Sequence, residues 1–109
     1  MAKKSAAYNF KVGAVIANGS YILGMGRNRP MEHHERLPGY RSVHAELDSI
    51  LKSRGNLKGS TVYVVVINSC GSDVVSRPCD LCMEQLRLRG VSNVVYSRRG
   101  IICQEKIEA

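Results

Sequence analysis

The chain has 109 residues, enough for one domain with a single hydrophobic core and too few for two, so we expect residues 1–109 to form a single domain. Apolar residues make up 44% of the chain and charged residues 23%, an ordinary globular balance. Sixteen lysines and arginines against nine acidic residues give a net charge of +7, which favours a partner that carries phosphate. The charge does not distinguish a nucleotide from a nucleic-acid strand, and it also fits a solvated basic surface without a partner.

The sequence gives no sign of a membrane or of secretion. No apolar run approaches the ~18 residues that span a bilayer, and the first residues lack the apolar core of a signal peptide. We therefore expect a cytoplasmic protein without a membrane partner. In that compartment a disulfide framework is not expected, and metal binding is the better use for two of the four cysteines. Cys70 and Cys103 are left as free thiols without an assigned role.

A β-hairpin is predicted near the start of the chain. Residues 1–9 are too few and too polar to form a stable helix alone. Apolar runs of strand length follow at residues 11–17 and 21–25, joined through Asn18 and Gly19. Asn-Gly between apolar runs is a strong hairpin signal because both turn residues accept positive φ.

A long loop and a helix come next. Residues 26–42 have two prolines and no hydrophobic period, and long loops in compact domains are usually functional. Two adjacent histidines in this loop, His33 and His34, are interpreted as solvated. A helical stripe follows, with Ser42 at the N-cap position and a stop signal at residues 54–55; its apolar members are Val43, Leu47, Ile50 and Leu51.

The second half of the chain predicts a buried strand, a loop and a second helix. Residues 61–67 are a continuous β-branched run, typical of a central strand, and residues 68–77 are polar. Pro78 suits the opening of a helix that runs to Arg89 and stops at Gly90.

The last part of the chain predicts one further strand, at residues 92–97. Residues 101–103 either turn back as a short antiparallel edge strand or form a tail. The predicted order is therefore β-β-α-β-α-β with a possible fifth strand, a mixed sheet of the α/β class with helices packed on it.

Two short motifs carry the chemistry. His44 and Glu46 form an H-x-E pair in the first helix, and Pro78, Cys79 and Cys82 form P-C-x-x-C at the start of the second. One imidazole and two thiolates suit a zinc ion (Zn²⁺) with an open fourth position, as in catalytic zinc sites. Glu46 would then stand beside the open position. This order of residues is the established signature of zinc-dependent nucleobase deaminases.

With these motifs the chain resembles the cytidine and deoxycytidylate deaminase superfamily, from about residue 12 to about residue 97. The resemblance implies the cytidine deaminase-type fold, with Asn28 contacting the ribose. It also implies that the backbone near Ala45 and the carbonyl of Arg77 hold the base. Family members usually carry a full N-terminal helix; its shortening here leaves one sheet face less covered unless a second chain covers it, so we expect a homo-oligomer.

The implied reaction is hydrolytic deamination of cytosine, with Glu46 moving protons between water, ring N3 and the leaving ammonia. A free cytosine nucleotide or nucleoside, deoxycytidylate first, fits the small size. A single-stranded DNA or tRNA substrate fits the charge and the arginine-rich loop, although the chain has only one Phe, five Tyr and no Trp for base stacking. Adenine and guanine stay open.

Three other interpretations of the motifs stay open. The first is a structural zinc module, closed by Glu46 as a fourth ligand beside His44, Cys79 and Cys82. The second is a thioredoxin-like C-x-x-C, and the third is a chance match.

Overall fold

The computed structural model describes residues 11–32, 34–37, 39–40, 42–67, 77–98 and 101–107. Their strands form one five-stranded sheet in the order β2-β1-β3-β4-β5. The strands are β1 (Lys11–Asn18), β2 (Tyr21–Arg27), β3 (Thr61–Ile67), β4 (Asn93–Arg98) and β5 (Ile101–Lys106). The helices are α1 (Ala45–Leu51) and α2 (Asp80–Leu88). The predicted order of elements is confirmed, and no helix in these ranges is long and apolar enough to cross a membrane.

Only one face of β3 is buried, because Tyr63 is 44% exposed and Val65 is 54% exposed, so the prediction of a buried strand is wrong for the other face. This strand is nevertheless the centre of the sheet, as the β-branched run predicts. It pairs antiparallel with β1 and parallel with β4, so the sheet is mixed. Alternate residues of these strands face the two helices and form the core with Leu86 of α2 and Ile50 of α1. The strand residues in this core are Ala14, Ile16, Val62, Val64, Val94 and Tyr96. Both helices thus cover the same face of the sheet.

The β1–β2 hairpin is confirmed, but its loop is shifted by one residue. Asn18 is the last residue of β1 and pairs with Tyr21, so the two loop residues are Gly19 and Ser20. Gly19 has a φ of 61°, a conformation that glycine adopts without strain. The predicted Asn-Gly turn is therefore wrong in register, because strand pairing continues one residue further, to Asn18.

The chain end forms a full strand. The β5 strand covers six residues, three more than the sequence suggested, and it pairs antiparallel with β4. The choice that the sequence left open is thereby resolved in favour of a returning edge strand. It carries Glu105 onto the helix-covered face, opposite Val94.

Two glycines of β2 let α1 lie directly on the strand. A Cβ at Gly24 would stand 2.4 Å from the carbonyl oxygen of Ser49, and one at Gly26 would stand 2.2 Å from the Ser49 nitrogen. Close approach of the two backbones is therefore the reason for glycine at both positions.

Both helices begin later than predicted. Val43 exchanges two backbone hydrogen bonds of 2.9 Å with Arg29, which holds it in an extended conformation. The N-cap of α1 is consequently His44, and the prediction of Ser42 is wrong. The second helix, α2, also begins later than the predicted opening at Pro78, because its N-cap is Cys79. It ends before Gly90, whose φ is 86°.

Candidate metal centre

Three side chains from the starts of the two helices converge. The Nδ1 atom of His44 lies 3.5 Å from Sγ of Cys79 and 3.4 Å from Sγ of Cys82. One ligand atom from each of the three residues lies within 4.8 Å of the others. The two parts of the sequence motif therefore meet in space, as predicted, and the three side chains are positioned to bind a metal ion.

The spacing of these atoms fits tetrahedral zinc. With Zn–S bonds of about 2.3 Å and Zn–N bonds of about 2.0–2.1 Å, tetrahedral angles place nitrogen and sulfur about 3.6 Å apart. The two observed separations, 3.5 and 3.4 Å, are within about 0.2 Å of that value. The donors are one imidazole nitrogen and two sulfurs, which zinc prefers, so the residues fit the ion by chemistry and by geometry.

The helix starts explain how this convergence arises. His44 and Cys79 are both N-caps in the extended conformation, with ψ of 154° and 169°, and neither side chain makes a capping hydrogen bond. An N-cap side chain normally accepts from its own helix. Here both are turned toward each other instead. Cys82, three residues further along, lies on the same face of α2 and is fully buried.

Burial sets the proton affinities of the ligand groups. It lowers the pKa of His44, which keeps the imidazole neutral, as a metal ligand must be. Burial, followed by the nearby charge of Glu46, raises the pKa of the Cys82 thiol. A buried thiolate at this position therefore requires a compensating cation, which a divalent metal would supply.

Glu46 is in the first turn of α1, two residues after His44, and is not one of the three ligands. Its side chain is buried, at 6% exposure, and burial raises the pKa of its carboxyl. Its charge also contributes to the raised pKa of Cys82 and of Tyr40. A carboxyl group that binds protons readily and stands next to a metal centre is suited to moving protons.

Tyr40 contacts two of the three ligands, and the sequence did not indicate that it belongs to the site. Its hydroxyl donates a hydrogen bond of 3.2 Å to Sγ of Cys82. Its ring meets the imidazole of His44 edge to face, with centroids 4.9 Å apart at 87°. The residue belongs to the long loop, where no period or motif marks it.

A buried carboxylate, Asp48, joins α1 to the loop and was also missed. It accepts hydrogen bonds from the backbone N–H of Arg27 at 3.0 Å, from Nε of Arg29 at 2.9 Å and from Lys52 at 2.9 Å. Burial opposes its ionisation, but these hydrogen bonds outweigh burial and lower its pKa. Arg29 also binds Glu35 through both guanidinium NH₂ groups, which lowers the pKa of Glu35 to about 2.

The three residues assigned to substrate by resemblance have different surroundings. Asn28 accepts a hydrogen bond of 2.8 Å from the N–H of Val12 through Oδ1, so its side chain extends the hairpin pairing. Ala45 is the first residue of α1, and its side chain lies in the core. The guanidinium of Arg77 is paired with Glu105 on β5, at 2.7 and 3.2 Å.

The remaining histidines and cysteines lie elsewhere or outside the described residues. His34 is exposed, 3.6 Å from a Glu32 oxygen, in keeping with a solvated loop histidine. Cys103 is a free, half-buried thiol of β5. His33 and Cys70 are outside the described residues. A shallow groove of about 270 Å³ runs between α2 and β5, lined by charged side chains that include Arg77, and contains none of the three ligands.

Comparison with known proteins follows this geometry. Residues 1–98 match the family model described as the cytidine and deoxycytidylate deaminase zinc-binding region. No curated protein matches the sequence significantly.

The fold is similar to crystal structures of dCMP deaminase from the cyanophage S-TIM5. The apo form has 22% identity and a TM-score of 0.55. The form in complex with dCMP and dUMP has 23% identity and the same TM-score. Each alignment covers 76% of this chain and 62% of the phage protein, so the chain spans less than two thirds of that relative's length. The predicted α/β fold of the cytidine deaminase type is thereby confirmed.

Proposed function

The chain belongs to the cytidine and deoxycytidylate deaminase family, and we propose that it is itself a zinc-dependent hydrolase that converts a cytosine base to uracil. The observation that carries the proposal is the convergence of His44, Cys79 and Cys82 into one ligand group, with Glu46 two residues after His44 and outside that group. A catalytic zinc site needs three protein ligands, an open position and a general acid-base next to it.

The reaction replaces the exocyclic amine of cytosine with oxygen from water. A C4–O bond forms, the C4–N bond breaks, and ammonia leaves. Zinc held by the three ligands supplies Lewis acidity, which lowers the pKa of water toward about 7. Glu46 takes a proton from the attacking water and delivers it to ring N3. It then helps to protonate the exocyclic amine, which leaves as ammonia. Its raised pKa supports this role, because the carboxyl must hold the proton between the two transfers.

Three further residues are proposed to hold the substrate. Ala45 opens α1, and the first N–H groups of a helix have no partner within it, so its N–H can donate to the oxygen of the base. The Arg77 carbonyl, two residues before Cys79, accepts from the exocyclic amine. Asn28, whose Oδ1 accepts from the N–H of Val12, is the proposed ribose contact.

The proposed substrate is a cytosine mononucleotide such as deoxycytidylate. The phage relative was crystallised with dCMP and dUMP, which makes these the first nucleotides to test. Two arginines that could bind a longer strand, Arg29 and Arg77, already neutralise carboxylates. Fewer cations are therefore left for a series of phosphates. Deamination of single-stranded DNA or of a tRNA loop is the alternative, and the +7 charge is the observation that favours it.

A structural zinc module is the alternative from another class of function. It requires Glu46 as a fourth ligand in a closed site. The exclusion of Glu46 from the ligand group argues for the open site instead.

Two expectations from the sequence also belong to the proposal: that residues 1–109 form one catalytic domain and that the protein is cytoplasmic.

We infer that two copies of the chain associate through the sheet face turned away from the helices. The polar residues Thr61, Ser97 and Gln104 lie on this open sheet face, and its apolar residues are Ile22, Met25, Val15, Ala17, Tyr63, Val65, Val95 and Ile102. Among them Val65 is 54% exposed and Ile102 is 72% exposed. Within the described residues, neither helix packs on this face.

A second copy is the occupant that fits this face. A five-stranded sheet of this strand length measures about 20 by 25 Å, the same order as the ~800 Å² that each partner buries in a standard interface. Two such faces pack about 10 Å apart in β-sandwiches. The face is mainly apolar, so a phosphate-bearing partner does not suit it.

A substrate screen tests the proposed activity. The zinc-loaded protein is incubated with deoxycytidylate, cytidine, adenosine nucleotides and cytosine-containing oligonucleotides, and products are identified by mass spectrometry. We expect deoxyuridylate from deoxycytidylate, and Glu46→Gln is the inactive control. A zinc-loaded, folded protein inert toward every base would favour the structural module.

A further inference from the structure

Tyr40 touches two of the three candidate metal ligands and takes no part in the proposed reaction. Its hydroxyl is 3.2 Å from Sγ of Cys82, and its ring packs edge to face against His44. The two contacts have different effects. The hydrogen bond stabilises negative charge on the sulfur of Cys82, and the ring contact restricts the orientation of the His44 imidazole.

The phenol is suited to donate to a thiolate. A phenol hydroxyl carries a proton that it can donate, and here its oxygen lies 3.2 Å from Sγ of Cys82. Cys82 is fully buried, so its sulfur has little access to water. A hydrogen bond from Tyr40 therefore takes the place of solvation for the charged sulfur. It also withdraws electron density from that sulfur, which leaves more positive charge on a metal bound there.

Tyr40 is itself held in place by the loop. Its backbone N–H donates to the carbonyl of Leu37 at 3.0 Å. The preceding Gly39 has a φ of 86° and lies against Leu81 of α2, where a Cβ would stand 2.9 Å from Cδ1. The positive φ favours glycine at this turn, whereas the contact with the flexible end of Leu81 can adjust. The turn lies directly before the tyrosine whose phenol reaches Cys82.

We propose that Tyr40 is a positioning residue of the metal centre, which fixes the ring of His44 and hydrogen-bonds the ligating sulfur of Cys82. The inference rests on the proposed zinc site. Partners that orient metal ligands from outside the coordination sphere typically change metal affinity 10–100-fold. Tyr40 would therefore contribute to zinc retention and to the electronic state of one metal–sulfur bond.

The test is Tyr40→Phe, which removes one oxygen atom and keeps the ring. Zinc affinity is measured by competition with a chromophoric chelator, and the sulfur-to-metal charge-transfer band is recorded after substitution with Co²⁺. We expect affinity to fall about 10–100-fold and the band to shift. Tyr40→Leu, which also removes the ring contact with His44, should lose more affinity.

Tyr63→Phe is the matched control, since Tyr63 is a tyrosine on the open sheet face, 44% exposed. It should leave both readouts unchanged. Wild-type affinity and an unshifted band in Tyr40→Phe would overturn the inference. If the wild-type chain itself bound no zinc, the proposed function would fail, so the two failures are distinguishable. Circular dichroism of the metal-free variants separates loss of the fold from loss of the hydrogen bond.

Discussion

The Nδ1 atom of His44 lies 3.5 Å from Sγ of Cys79, and each of the two residues is the N-cap of its helix. Neither side chain caps its own helix, a role that Ser or Asp at an N-cap would fill at a gain of roughly 1 kcal/mol. Both helices therefore lack the stabilisation of a side-chain cap, because the two N-cap side chains belong to the candidate metal centre. Five predictions follow from this arrangement and from the contacts around it.

The first prediction is one zinc ion per chain. The described residues bring together one ligand group, made of His44, Cys79 and Cys82. Elemental analysis should find about one equivalent of zinc in the wild type and little in the double variant Cys79→Ser, Cys82→Ser. Cys103→Ser, at a half-buried thiol of β5, should keep the metal. Stoichiometric zinc in the double variant would refute the assignment.

Substitution of Glu46 by Gln should abolish turnover without releasing the metal. The carboxyl is proposed to carry protons, a contribution typically worth 10²–10⁴-fold in rate. Steady-state kinetics and elemental analysis of the same sample measure both properties. Glu84→Gln, at an exposed residue of α2, is the control. Full activity in Glu46→Gln, or loss of its zinc, would show that the role is wrong.

Asp48→Asn should destabilise the fold. The carboxylate is completely buried and accepts hydrogen bonds from Arg27, Arg29 and Lys52. Neutralising it removes the carboxylate that pairs with Lys52 and one of the two carboxylates that bind Arg29, which should lower the free energy of unfolding by about 2–4 kcal/mol. Urea denaturation measures the change. Glu84→Gln breaks only an exposed pair with Arg87 and should stay within error of the wild type.

A charge on the open sheet face should prevent self-association. Val65 lies on the central strand and is 54% exposed, so Val65→Glu places a carboxylate in the middle of the proposed interface. Sedimentation should show a dimer for the wild type and a 12.0 kDa monomer for the variant. Leu88→Glu introduces the same charge at a 62% exposed position of α2 and should remain dimeric. A wild-type monomer at micromolar concentration would contradict the proposed interface.

Turnover of the preferred substrate should depend only weakly on salt. A mononucleotide offers one phosphate, whereas a single strand loses affinity with a log–log slope of roughly −0.7 per phosphate contacted. Four contacts would cost about 50-fold between 50 and 200 mM salt by this relation. We expect the shallow dependence, with deoxycytidylate as substrate. Steeply salt-sensitive deamination of an oligonucleotide, with deoxycytidylate and cytidine inert, would establish the nucleic-acid alternative.

The sequence by itself determined the residue types of the site and the order of the elements. The H-x-E and P-C-x-x-C motifs are local, and the β-branched run of β3 indicates a central strand by its own composition, although one face of that strand is exposed at Tyr63 and Val65. These patterns can therefore be recognised in the sequence without knowing the tertiary contacts. Asn28, Ala45 and Arg77 were assigned by resemblance alone, and their contacts with substrate stay predictions.

Only the tertiary structure decided how these elements meet. His44 became the N-cap because Val43 pairs with Arg29 across the loop, a contact that no local period records. Tyr40 and Cys82 are 42 residues apart in sequence and join only when the loop packs on α2. The direction of β5 and the burial of Asp48 have the same origin. Backbone pairing and packing between distant segments decide them, and the hydrophobic pattern of one segment does not specify its partner.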